Sequence, residues 1–294
     1  MGIMAPRRAH PHRTAALWFA SVLLTGVCPN AAQQAPLAKN ARILLLPHKM
    51  VSGDRITLAV LDFGGRLTPG VTIAFSNGDS VITNATGRAT FVAPLTQGIL
   101  YATIQGRPGR VQTEVISAST SKTPTEVRSA PHFASLADRF ELQGHGFCGD
   151  ADKNIVQMNG RPALVLASSS ESITVLPPAE LDAGPANVSV SCNKADAGWA
   201  HIVFLALSLE ADSSPLQPGQ KRTLSVHIAG TQERVGLEAR NLAPDVASLD
   251  AGNPARATSS GGAQNTALFP LTGKQHGNIL VSIRLLPGTV RAQP

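Results

Sequence analysis

After about residue 35 no stretch of this chain keeps a helical apolar period. Short runs that alternate apolar and polar residues recur instead, parted by Gly, Pro, Asn and Asp. A period of two places one face of a strand in a core and the other in water. The chain therefore reads as all-β, a tandem array of β-sandwiches. Composition agrees: Gly 26 and Pro 21 supply turns, and with only 4% aromatic residues the cores must be aliphatic. A length of 294 residues suits two or three domains. At 43% hydrophobic and 15% charged the chain is too apolar for wholesale disorder. Three cysteines without repeated Cys/His spacing exclude a zinc finger and a disulfide-dense scaffold.

The N-terminus reads as an export signal. Arg7, Arg8 and Arg13 with His10 and His12 precede the apolar run Ala15–Val27, and no acid intervenes. That run is short of the roughly 20 apolar residues a spanning helix needs, which argues against an uncleaved anchor. The expected signal is residues 1–32, cut after Ala32. Cys28 raises a lipoprotein alternative, but Thr25 and Val27 depart from the Leu-x-Gly/Ala-Cys ending such signals share. Loss of residues 1–32 removes three arginines and no acid, taking the formal charge from +6 to +3. The remaining Lys and Arg form no basic run, so no nucleic-acid partner is expected. No transmembrane helix is expected after cleavage.

The first group of strands spans about 41–118. Ile56–Val60 and Val71–Phe75 alternate, Ser76-Asn-Gly-Asp79 is a turn, and Thr86-Gly87 between two extended pieces suggests a hairpin. Gly53-Asp54, Leu58–Val60, Pro69-Gly-Val71 and Thr83-Asn-Ala-Thr-Gly87, followed by Ala89 and Phe91, carry a resemblance to bacterial Ig-like domains of the invasin/intimin and carboxypeptidase-regulatory type. Asn84 stands where that family usually has Asp. The resemblance implies a spacer or adhesive module over 33–118, with a polar linker, STSKTPTE, at 119–126.

The second group, 127–204, holds Phe140–Phe147, Val156-Gln-Met-Asn-Gly160, Ser169-Ser170, Ile173–Val175, Pro177, Gly184 and Val188–Val190, with Ala200–Phe204 as a last strand. This series is similar to the IPT/TIG family of Ig-like folds, found in plexin-type receptors and transcription factors. The resemblance fixes a fold and leaves function open. It makes the strand before Cys148 the second of the sandwich and the strand before Cys192 the last but one. Those strands face each other across such a core and run in the same direction, which implies a Cys148–Cys192 disulfide, given an oxidising compartment and removal of Cys28. Two unpaired thiols are the alternative. The third group, 205–294, with Leu224–Ile228, Val235–Ala239 and Ile279–Ile283, reads as a third sandwich of no recognised family.

The chain carries no nucleophile elbow, His-Glu-x-x-His, phosphate loop or Cys-x-x-Cys in a fitting context. Gly144-His-Gly reads as a strand bend, with His145 on the surface and too few neighbours for a metal site. Asp150, Asp152 and Asn154 have the spacing of half a calcium loop, but Ile155 and Arg161 occupy the positions needing Gly and an acid; a polar turn is expected. Ser259–Gly262 with Asn265 reads as a flexible turn rather than an anion nest. Arg128, Arg139 and Arg161 read as solvated. Trp199 reads as a packing residue near the junction of the second and third groups rather than a sugar platform.

No catalytic residue, cofactor or metal is expected. The expected function is that of an exported, non-enzymatic structural, adhesive or binding protein, secreted, periplasmic or at the cell surface. The alternative is a polysaccharide-binding accessory module. A partner would be a cell-surface protein or a polysaccharide.

Overall fold

A computed structural model describes residues 42–117, 124–193, 197–210, 214, 216–286 and 291–292. The expected signal and Cys28 lie outside the described residues. The described part is built of strands, with one 3-10 turn at Ala151–Lys153. Among the described residues no helix is long and apolar enough to cross a membrane.

The first sandwich contains β1 (Arg42–Leu45), β2 (Lys49–Val51), β3 (Arg55–Asp62), β4 (Thr72–Phe75), β5 (Ser80–Ile82), β6 (Arg88–Val92), β7 (Gly98–Ile104) and β8 (Val111–Ile116). β3 pairs with β1 and β6, and the facing sheet runs β2-β8-β7-β4-β5. Met50, Ile56, Leu58, Val60, Ile73 and Ala102 fill the core between them. The expected Thr86-Gly87 hairpin does not form between β5 and β6. Gly87 N–H does donate to Asn84 O at 2.9 Å, so the turn is tight. However, β5 pairs with β4 and β6 with β3, so the chain crosses from one sheet to the other. Asn84 builds this corner, its Oδ1 accepting from Thr86 N–H at 2.9 Å and Thr86 Oγ1 at 2.7 Å.

The second sandwich contains β9 (Glu126–Ala130), β10 (Phe133–Ser135), β11 (Phe140–His145), β12 (Asn154–Met158), β13 (Arg161–Pro162), β14 (Leu164–Ser168), β15 (Ser172–Leu176), β16 (Gly184–Cys192) and β17 (Gly198–Glu210). One sheet runs β14-β15-β11-β9 and the other β13-β12-β16-β17. Leu142, Met158, Val188, Ala200, Ile202 and Phe204 lie in its core, with Phe140 edge-on to Phe204 at 5.6 Å. The end of the polar segment read as a linker already packs here: Thr125 is buried and donates to Gly146 O.

The third sandwich adds β18 (Lys221–Ala229), β19 (Gly236–Asn241), β20 (Ala247–Leu249), β21 (Ala255–Thr258), β22 (Thr266–Gly273), β23 (Val281–Leu285) and β24 (Arg291–Ala292). Its sheets are β17-β18-β22-β20 and β21-β19-β23. β24 returns to pair with β9 of the second sandwich.

Two strands join these sandwiches. In β3 Ile56, Leu58 and Val60 point into the first core. The alternate residues Ala59 and Leu61 enter a separate cluster with Leu45, Leu166 and Ala167, at the junction with the second sandwich. β3 also pairs with β14 through Thr57 and Ser168. In β17 Ala200, Ile202 and Phe204 serve the second core, whereas Leu205 belongs to the third, with Val203 and Leu207 packed against it. β3 is buried on both faces from Ile56 to Leu61, and β17 is enclosed on both sides around Val203–Leu205, where it passes from the second core into the third, so each is a shared wall there rather than a tether.

Candidate functional site

Cys148 and Cys192 are joined in a disulfide with Cα atoms 5.2 Å apart. Cys148 follows β11 and Cys192 ends β16, so the bridge links the two sheets of the second sandwich. It anchors a loop that docks on the first sandwich. Gly149 lies so close to β3 that a Cβ there would meet Arg55 O at 1.6 Å; only glycine fits. Thr57 Oγ1 donates to Gly149 O at 2.8 Å and accepts from Ala151 N–H at 3.1 Å. Ser170 Oγ donates to Asp54 Oδ2 at 2.7 Å across the same junction.

The half calcium loop is used internally. Asn154 is buried, accepts from Cys148 N–H at 2.9 Å and donates to Cys148 O at 2.7 Å. Asp150 Oδ1 accepts from Asp152 N–H and caps the 3-10 turn. Asp152 pairs with the buried Arg88 of the first sandwich. The three side chains thus serve different partners, and no group of three metal-ligating side chains converges among the described residues.

His145 is corrected: it is buried, not on the surface, and its Nε2 lies 3.1 Å from Glu126 Oε2. The cause is a register shift between Gln143 and Gly144, where a Cβ on Gly144 would meet Glu126 O at 1.9 Å. Trp199 is also corrected. It is 59% exposed, pointing away from the core that its neighbour Ala200 enters. The Ser259–Gly262 turn is filled by the chain itself: Gly261 N–H donates to Asn265 Oδ1 at 2.9 Å. Ser259 Oγ accepts from Val235 N–H. Arg128 stays solvated with Glu126 at 3.5 Å, Arg139 bonds Asp138 at 3.2 Å, and Arg161 lies 3.9 Å from Asp182.

Register also creates groupings that no local motif shows. His227 lies opposite Ser208 on β17 and Thr266 on β22. Its Nε2 is 2.8 Å from Glu210 Oε2 and its Nδ1 3.1 Å from Thr266 Oγ1. This acid–imidazole–hydroxyl chain lies on an open sheet face, with all three side chains exposed or half-buried. On the outer face of the third sandwich, Glu238 sits directly between Arg256 and Arg284, bonded to both. The Arg284 and Arg256 bonds hold its carboxyl below the ordinary carboxylate range, against the opposing effect of burial. Burial pushes the Glu141 carboxyl up, partly offset by the charge of His48. Glu171 is raised in the same way, with His145 opposing.

Two adjoining clefts of about 520 and 300 Å³ lie at one end of the first sandwich and share Arg42, Ile104 and Arg107. Arg110 lines the second and stacks over Tyr101 at 4.3 Å. The ionisable side chains lining both clefts are arginines, so neither assembles an acid–base pair.

No curated protein matches the sequence. Among solved structures, the chain is similar to the Bacteroides ovatus mixed-linkage glucan utilization locus protein SGBP-B in complex with a mixed-linkage heptasaccharide, at 12% identity and a TM-score of 0.31, covering 81% of this chain and 73% of that one. It is similar to invasin, a bacterial integrin-binding protein, at 15% identity and 0.21, covering 83% and 56%. It is similar to the plexin A4 extracellular region at 9% identity and 0.34, covering 88% and 28%. The IPT/TIG domain family matches residues 134–204, which lie within the second sandwich from β10 into β17. The chain therefore carries an IPT/TIG domain at residues 134–204, set between further β-sandwiches.

Proposed function

We propose that this is an exported, non-enzymatic structural, adhesive or binding protein, secreted, periplasmic or at the cell surface, whose partner is a cell-surface protein or a polysaccharide. The observation that carries this reading is that β3, and β17 around Val203–Leu205, are shared between neighbouring cores, which makes the sandwiches one scaffold with sheet faces turned outward. The units 33–118, 127–204 and 205–294 are the domains of that scaffold, after a signal at 1–32. The Cys148–Cys192 bridge supports an oxidising compartment. The isolated, open setting of Glu210, His227 and Thr266 supports the non-enzymatic part: catalysis by such a chain depends on a water-excluding pocket and oxyanion donors.

The test is expression with the native N-terminus in a bacterial host, followed by fractionation and intact mass. The expected product lies outside the cytoplasm, begins near residue 33 and is two hydrogen atoms lighter than its reduced form. A product retaining Met1 in the cytoplasm contradicts export. Hydrolysis of ester or glycoside substrates that His227→Ala abolishes contradicts the non-enzymatic reading.

A further inference from the structure

We propose that the outer face of the β12–β16–β17 sheet binds a neutral polysaccharide, with Trp199 stacking on a sugar ring. This rests on the binding reading above and assigns the surface and the ligand class. Trp199 projects outward because Gly198, Ala200 and Ile202 take the inward positions of β17. A tryptophan has about 150–250 Å² of surface to bury, so leaving most of it in water forfeits a large apolar gain. Here the ring is held on a strand that pairs with β16 from Gly198 to Phe204, not on a loop. Little conformational entropy is lost when such a ring meets a ligand.

The neighbours of Trp199 suit hydroxyl-rich chemistry. Ser189 lies directly opposite it on β16, and Gln157 opposite Ser189 on β12. Two strand spacings separate Trp199 from Gln157, about 9.5 Å. In the flanking rows Asn187 lies opposite His201, and Ser191 opposite Ile155. Amides and hydroxyls supply both donors and acceptors, as sugar hydroxyls require. None of these side chains is an acid, a lysine or an arginine, so the face complements an uncharged chain rather than an acidic one. The apolar groups Trp199 and Ile155 are parted by Ser189, Gln157 and Ser191. The fully buried centre of a protein interface is more apolar than this. Beyond His201 the next outward residue, Val203, is covered by the third sandwich, which bounds the face.

Affinity electrophoresis of the full exported protein through gels holding soluble β-glucan, xylan, galactomannan or polygalacturonate tests this. Retardation is expected with at least one of the three neutral polymers, with the affinity weakened about tenfold or more in Trp199→Ala. Gln157→Ala should weaken it several-fold and Trp199→Phe should retain most of it, all at unchanged melting temperature. Trp18 lies in the expected signal, so quenching of fluorescence in the processed protein reports Trp199 itself. Retardation that survives Trp199→Ala overturns this face while leaving the binding reading standing. Retardation by polygalacturonate alone, or by none of the polymers, overturns the ligand class. Loss of self-association in Trp199→Ala, seen by sedimentation, would show instead that a second copy covers the face.

Discussion

Phe204 and Leu205 are adjacent in sequence and both are withdrawn from water, yet they lie in different hydrophobic cores. Their side chains leave opposite faces of β17, so one strand is a wall of two sandwiches. β3 has the same role between the first and second, with Leu58 on one side and Ala59 on the other. Such joints couple the stability of neighbouring units, which linkers do not.

Leu205→Ala is therefore expected to destabilise the second sandwich as well as the third. The cost should be about 2–5 kcal/mol, in the range of buried leucine truncations. Hydrogen exchange of amides in β12 and β16 checks this, since an uncoupled third sandwich would leave their protection unchanged.

At the other joint, Gly149→Ala places a methyl against Arg55 O and should separate the first sandwich from the second. Leu166→Ala, in the shared cluster, should weaken the same joint by about 2–5 kcal/mol. Limited proteolysis near 118–126 is the readout, and faster cutting in both variants is expected.

Asp152→Ala should destabilise the protein by about 1–3 kcal/mol, because buried Arg88 loses its charged partner. Calcium and chelator should leave the melting temperature of the wild type unchanged. A calcium-dependent rise that Asp152→Ala abolishes would restore the cation-loop reading.

The disulfide closes a loop of about 45 residues, and its removal in Cys148→Ser with Cys192→Ser should cost roughly 4 kcal/mol by loop entropy. Urea unfolding of oxidised protein and of the double variant measures this.

Two carboxylates should act with opposite sign on acid stability. Glu238, lowered by Arg284 and Arg256, contributes stability that is present above the ordinary carboxylate pKa and is lost as pH falls through its folded value. Glu238→Gln should therefore melt lower at neutral pH and converge on wild type in acid. Glu141, raised by burial, favours the fold at low pH and loses that contribution as pH rises through its folded value. Glu141→Gln should melt higher at neutral pH and converge in acid. Melting curves from pH 3 to 8 decide both.

The strands were legible because alternation survives in runs such as Leu224–Ile228. The resemblance to IPT/TIG domains located the second sandwich and implied which cysteines meet. The joint was harder to read: Ile202–Leu207 is a continuous apolar run, and a strand that passes from one core into the next looks like the end of one domain and the start of another. His145 was misplaced because the irregularity after Gln143 shifts the period of two by one. The parity of Trp199 was readable from Ala200, Ile202 and Phe204, since residues alternating with a core set point outward. The Glu210–His227–Thr266 row and the Trp199–Ser189–Gln157 row depend on strand register, which sequence spacing does not contain.

Scanning calorimetry of residues 33–294 tests most directly the claim that β3 and β17 weld the sandwiches into one unit. A single transition with equal calorimetric and van't Hoff enthalpies is expected. Two or three resolved transitions, each unaffected by mutations in its neighbour, would contradict it.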